Sequence, residues 1–460
     1  MIGKKFILGA TAATLMVPTT AMAADNGSSE QMPMADMQEM KDMSAGDVRA
    51  SFDQLLSEHF VLAVLSMQKQ YDDAPDAEEV QMNLNKNADD MQMAITSLYG
   101  EEAGQQFGDL FREHNEYTTD IVEATKNDDE AGLEEAEAEI QTFADDLSTL
   151  LSDATGGELP QEAAEEALIA HEDDVQSAFD NYVAEDYEAA YTDYREGYAR
   201  MFDIGETVSD AVVKGMPDQF DQNTTDTAAD DLRSNLNMLA GEHFSLAVLE
   251  MQKGVNQQDD YDFVTWAEDG NTEDFRAAIT SIYGEEAGVQ FMDIWQGEHI
   301  DAQSDIVAAT LEEDDEARQA AEDELKMFSE DFGAFLGGAT EENLPTEAAQ
   351  DAVWMHESQV LDTYDNYMNE DYEATYDSFR EGYAFMFGIG KNLGGAISTQ
   401  MPDQFGTDMM MEDGEMMPAE MPQTGMGGTA NGNSPWAWVF ASVAMTALAG
   451  AFMFRKNLAK

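Results

Sequence analysis

The sequence predicts an all-α fold of two tandem four-helix-bundle-like domains, about five or six helices each. Three observations predict it. Apolar residues recur at helical spacing through the middle of the chain, no window sustains the alternation of a strand, and one long pattern occurs twice.

The N-terminal element, residues 1–23, has the layout of a secretory signal. Lys4 and Lys5 precede a small apolar run over residues 6–17, and Ala21-Met22-Ala23 forms an A-x-A cleavage site. The run is too short for a membrane span. Residues 24–45 follow as an acidic, Met-rich stretch without periodicity, expected to be a disordered linker.

The duplication occupies the middle. Glu58-His59-Phe60 and Met67-Gln68-Lys69 return as Glu242-His243-Phe244 and Met251-Gln252-Lys253. Tyr99-Gly100-Glu101-Glu102-Ala103-Gly104 returns at residues 283–288, Arg195-Glu196-Gly197-Tyr198 at 380–383, and residues 216–220 at 401–405. The period is about 185 residues, domain-sized rather than solenoid-sized. Repeat 1 is placed at 46–220, a polar hinge at 221–229 and repeat 2 at 230–405. Within repeat 1, Leu56, Phe60, Ala63 and Met67 form one helical stripe. Phe107, Leu110, Phe111, His114 and Ile121 form a second, and Leu168, His171, Val175, Ala178 and Tyr182 a third. Turn signals separate them at residues 72–75, Gly100, 127–129 and 156–160.

Residues 406–435 are again Met-rich and aperiodic, and are expected to be disordered. Residues 436–454 are uncharged and of a length that spans a bilayer, with Trp436 and Trp438 at the outer edge. Arg455, Lys456 and Lys460 follow, which places residues 455–460 in the cytoplasm. Upstream, Met421-Pro422-Gln423-Thr424-Gly425 resembles the LPXTG sorting signal of Gram-positive cell-wall proteins, with Met421 where that signal has Leu. The resemblance implies sortase and peptidoglycan as partners. Without sortase cleavage, the same helix is a transmembrane anchor. Either way the body lies outside the cell.

Composition bounds the function. With 96 acidic against 21 basic residues, the formal net charge is -75. Phosphates would be repelled, so nucleic acid is excluded as a partner. Such acidity indicates a halophile or alkaliphile habitat first, and diffuse cation attraction second. The chain has no cysteine, so its cores hold it without disulfides and any soft-metal site must use His or Met.

The six histidines are three positions used twice: His59, His114 and His171, then His243, His299 and His356. Each lies on or beside an apolar stripe near the middle of its helix. His114 follows Phe111 by three residues and His299 follows Trp295 by four, because repeat 2 gains one residue there. Antiparallel helices of similar length bring their midpoints into one layer. Met201 and Tyr198, with Met386 and Tyr383 in repeat 2, fall at the middle of a fourth long helix, so a thioether or phenol could join three imidazoles. Imidazole suits copper, zinc, iron or nickel, and thioether selects copper. The opposing reading is a hydrogen-bonded core network with Tyr or Glu. The acids beside the histidines, Glu58, Glu113 and Glu172, are expected to face elsewhere, since helix neighbours point about 100° apart. No acid stands three residues before any histidine, which argues against a ferritin-type di-iron centre.

Methionine occurs 31 times, often in the tails, at Met32, Met34, Met37, Met40 and Met43 and again at Met409, Met410, Met411, Met416, Met417, Met421 and Met426. Thioethers there suit Cu(I), although Met also serves as flexible filler or oxidant sink.

Taken together, Glu-His-Phe-x-Leu-Ala-Val-x-x-Met-Gln-Lys, Tyr-Gly-Glu-Glu-Ala-Gly, a mid-helix His and Arg-Glu-Gly-Tyr-Ala-x-Met-Phe resemble a family of secreted Gram-positive helical repeats. These often carry the label "copper amine oxidase-like". The resemblance covers both repeats and not the tails. It implies copper, and it does not imply amine oxidation. Asn181-Tyr182 and Asn366-Tyr367 are followed by Val183 and Met368 rather than an acid, and there is no His-x-His pair. Arg200 and Phe385 stand where the family often has a further His.

The expectation is therefore a surface-anchored metal binder that captures or buffers copper through His59, His114, His171 and Met201, and through His243, His299, His356 and Met386. Zinc and iron rank behind copper. A structural or adhesive surface protein is the alternative. A metal-dependent oxidoreductase comes third, because no nucleophile motif, phosphate loop or acid/base pair is present.

Overall fold

The computed structural model describes residues 40–406 except 42 and 221–223. The predicted signal peptide, membrane span and sorting motif lie outside the described residues. Among the described residues the secondary structure is entirely helical, and no helix is long and apolar enough to cross a membrane.

Repeat 1 consists of α1 (Ala45–Tyr71), α2 (Ala77–Tyr99), α3 (Glu101–Lys126), α4 (Glu130–Ala154), α5 (Gln161–Val183) and α6 (Tyr187–Gly215). Repeat 2 consists of α7 (Ala228–Val255), α8 (Tyr261–Tyr283), α9 (Glu285–Trp295), a π-helical turn (Gln296–Ile300), α10 (Asp301–Glu312), α11 (Asp315–Ala339), α12 (Thr346–Met368) and α13 (Tyr372–Gln400), closed by the short α14 (Pro402–Phe405). The boundaries have local causes. The Ser44 and Thr227 hydroxyls accept from backbone N–H groups in the first turns of α1 and α7. Asp129 and Asp314 cap α4 and α11 in the same way. Gly100 and Gly284 both take φ +90° with an extended ψ, a conformation open to glycine that joins α2 to α3 and α8 to α9. Gly104 and Gly288 then let α3 and α9 pass against Thr96 and Thr280, where a Cβ would collide. That accounts for both glycines of the repeated Tyr-Gly-Glu-Glu-Ala-Gly pattern.

The helices expected from the periodicity form where expected, but α1 and α7 are not surface helices with one apolar face. α1 packs against α2, α3, α5 and α6 and also against α7 and α13. It is buried on every side, including Asp53, Ser57, Glu58, Ser66 and Lys69. The polar residues are there because the two repeats pack through these helices with near two-fold correspondence. Arg380 donates to Glu58 and Asp90 across the interface, and Arg195 donates to Glu242 and Asp274. Tyr376 donates to Asp76, and Tyr191 to Asp260. Lys69 binds Asp76 beneath the Tyr367 ring, and Lys253 binds Asp260 beneath Tyr182. On the axis itself, the Tyr198 and Tyr383 hydroxyls meet at 2.8 Å.

One hydrophobic core runs through residues of both repeats, from Phe60 and Phe179 to Phe244 and Phe379, and repeat 2 adds a separate apolar cluster that includes Phe291, Trp295 and Phe328. The segments expected to be loose are partly built in. Met40 is buried against this core, and the Thr225 carbonyl in the hinge accepts from Arg49.

Candidate metal centre

α1, α3 and α5 deliver His59, His114 and His171 to one point, and α7, the π-helical turn and α12 deliver His243, His299 and His356 to another. In each cluster the three ring nitrogens offered lie within 4.8 Å of one another. The ring centroids form nearly the same triangle twice. Its sides are 5.5, 5.5 and 6.4 Å in repeat 1 and 5.0, 5.3 and 6.0 Å in repeat 2. All six predicted histidines thus converge as expected.

The π-helical turn explains how the second triangle survives an insertion. The extra residue between Trp295 and His299 would rotate His299 about 100° off the core face of a regular helix. Widening one turn over Gln296–Ile300 absorbs it and keeps His299 buried.

Aromatic rings wall each cluster. Phe143 from α4 stacks on His114 at 4.2 Å between centroids, and Phe328 from α11 stacks on His299 at 4.5 Å. Phe111 and Trp295 pack against His59 and His243. This packing holds the imidazoles neutral. Burial pushes His114, His243, His299 and His356 down to about 3 and His171 to about 4, and His59 well below its usual value.

Carboxylates also reach the clusters, contrary to the expectation that acids adjacent to the histidines face elsewhere. Glu172 is buried, with its carboxylate 3.5 Å from Nε2 of His114. Glu357 is 3.2 Å from Nδ1 of His299. α5 and α12 are enclosed on more than one side, so a residue 100° from His171 or His356 still faces protein. Burial raises the Glu172 carboxyl to about 8 and shifts Glu357 upward. Glu58 is buried too, but it serves the inter-repeat ion pair, and Glu113 is exposed as expected.

Repeat 2 has one more carboxylate. Glu268 on α8 contacts Nδ1 of His243 at 2.6 Å, and burial raises its pKa well above the usual value. The matching position in repeat 1 is Leu84. A lone acid opposite a leucine at a core position was the available signal, and it emerges only when the two copies are compared.

Among the other expected contributors, Met201 and Met386 are buried, and Met386 borders a cavity that also touches His243 and His356. The phenols of Tyr198 and Tyr383 do not join the clusters. They bond to each other, and Tyr383 also donates to Ser57, because their helix faces turn toward the other repeat. Gly197 and Gly382 beside them admit the rings of Phe60 and Phe244. The repeated Arg-Glu-Gly-Tyr pattern therefore builds the interface.

The residues fit a metal ion. Among the described residues, both nitrogens of His59 and of His356, and Nδ1 of His114 and His171, are buried without a hydrogen-bond partner, and Nδ1 of His299 has only the Glu357 carboxylate at 3.2 Å, out of hydrogen-bond alignment. Such orphaned groups are costly unless something binds them. Three ligands at ~2 Å in tetrahedral array are ~3.3 Å apart. Nε2 of His243 and Nε2 of His299 are already 3.0 Å apart, and imidazole rotation can close the wider pairs. Comparison with family models, with curated proteins and with solved structures finds no match.

Proposed function

We propose that this is a surface-anchored metal-binding protein that captures or buffers copper, with one ion per histidine cluster in two bundle-like repeats. The observation that carries the reading is the convergence of three neutral, buried imidazoles twice in one chain, with most of their ring nitrogens unpartnered. Neutral imidazole is the ligand form, so above about pH 4 an ion does not compete with formation of imidazolium.

Copper is favoured by the donor chemistry. The chain has no thiolate, its tails are rich in thioether, Met201 and Met386 are buried, and Met386 borders the same cavity as His243 and His356. The resemblance to secreted Gram-positive repeats with a copper-linked label points the same way. The predicted signal peptide, sorting motif and C-terminal span support a body outside the membrane.

One observation favours a second reading, a structural protein with a polar core network. His243 is bonded through both nitrogens, to Glu268 and to His299. Among the described residues no such network surrounds His59, whose nitrogens have no hydrogen-bond partner.

The test is metal analysis of the purified mature chain after copper loading and dialysis against a weak chelator. Two equivalents are expected, with His114→Ala and His299→Ala each removing one. Retention of no copper, or undiminished binding in both variants, would sink the proposal in favour of the core network.

A further inference from the structure

The two histidine clusters differ in what lies above them. In repeat 2 an apolar cavity of about 90 Å³ begins at His243 and His356. It runs along the bundle toward the ends of α8, α11 and α13, where Tyr283, Thr340 and Ile397 border it. In repeat 1 the corresponding space has shrunk to about 10 Å³ beside Tyr99, Thr155 and Val212, and touches no histidine.

The sequence shows what opened it. Leu56, three residues before His59, is Ala240 in repeat 2, and Leu168, three before His171, is Val353. Both changes remove side-chain volume one helical turn from a histidine. Larger rings in repeat 2, such as Phe332 in place of Leu147, wall the sides without filling the space beside the imidazoles. Among the described residues no charged side chain borders the cavity. The polar group facing its inner end is His356, 5% exposed, with both ring nitrogens unpartnered.

We propose that repeat 2 binds a small, uncharged, apolar molecule in this cavity, against the edges of His243 and His356, and that repeat 1 does not. The size sets the class. Apolar cavities of roughly 150 Å³ stay dry and admit benzene, so this one takes a molecule smaller than benzene. A polar or charged ligand would lose its hydration with little in return beyond the two imidazoles, because the Tyr283 and Thr340 hydroxyls and the Trp295 ring N–H already donate to Gln400, Leu336 and Thr272. The inference requires the cavity and not an ion, so it stands whether or not the clusters hold metal. If they do, repeat 2 is the repeat in which an apolar molecule reaches the ion and repeat 1 is the closed one.

Xenon is the probe. The metal-free mature chain is titrated with dissolved xenon while the ring signals of its six histidines are followed by NMR. His243 and His356 are expected to shift saturably, and His59 and His171 not to shift. Ala240→Leu, which restores the residue of repeat 1, is expected to weaken the response about tenfold or more by filling the space. Val353→Leu is the second variant and reports the same loss if Ala240→Leu does not fold. Copper content of the same variants is measured separately, so a failure of the metal reading leaves this test intact. Absence of a saturable response at His243 and His356, or an unchanged response in a folded filling variant, would overturn the proposal.

Discussion

The Glu268 carboxylate lies 2.6 Å from Nδ1 of His243, with both side chains shut off from solvent. This contact fixes the ring orientation and leaves Nε2 directed at His299. Carboxylates in this position raise the basicity of a metal-bound imidazole, and their loss costs about 10- to 100-fold in affinity. Glu268→Leu, which copies Leu84 of repeat 1, is therefore expected to weaken the proposed metal site of repeat 2 by about that factor. The other site should be unchanged. Competition titration against a chromophoric chelator resolves the two sites. Equal affinities in the variant and the parent would show that Glu268 serves packing alone.

The ion pairs at the repeat interface differ in burial. The Arg380 side chain is 2% exposed and its counterpart Arg195 is 23% exposed. Removing a partner from a buried pair costs about 3–5 kcal/mol, because the remaining charges stay buried. Arg380→Met leaves Glu58 and Asp90 in that state and is expected to cost within that range. Arg195→Met should cost less, since water reaches its partners more easily. Urea denaturation of both variants checks the order, and a cost below ~1 kcal/mol for Arg380→Met would contradict the burial argument.

Stability of the metal-free protein should be highest between roughly pH 5 and pH 7. The histidines have depressed values, about 3 to 4 for all except His59, which lies well below its usual value. Below about pH 6.5 the unfolded chain therefore binds more protons than the native one, and this contribution is lost as the pH falls toward 3. Asp53 and Glu250 are raised to about 7 and Glu172 to about 8. For these the native state holds the extra proton above about pH 4, so their contribution falls until pH 7 to 8, and past about pH 6.5 the histidines no longer offset it. Thermal melting across pH 3–9 at constant ionic strength checks both limbs; a curve that climbs steadily to pH 9 would refute the carboxyl limb.

The isolated first repeat, residues 46–220, carries both halves of the inter-repeat contact. Glu58 and Asp90 are the acceptors, and Arg195 matches the donor Arg380. Cut from its neighbour it would also expose the apolar side of α1. Sedimentation is expected to show a dimer of this fragment, dissociated by Arg195→Glu. A stable monomer would support two domains that fold independently.

Deletion of residues 436–460 is expected to release the protein into the medium. Fractionation of cells expressing the deleted and full chains measures this directly. Retention of the shortened protein on the cell would remove the C-terminal segment as the anchor.

The duplication, the all-helical fold, the turn positions and the six histidines were determined by the sequence itself. Helical period and glycine or proline breaks are local properties, and a face that carries both His114 and Phe111 has one direction to point. Tertiary structure decided the rest. Whether Glu58 or Glu172 turns toward histidine, arginine or water depends on which helices surround α1 and α5, and α1 is enclosed by both repeats. The same enclosure sends Tyr198 to Tyr383 instead of to a histidine cluster. The cavity above His356 depends on volumes contributed by several helices at once, so Ala240 gains its meaning only when the bundle has closed around it. Periodicity shows which side of a helix is buried, and only packing shows what it is buried against.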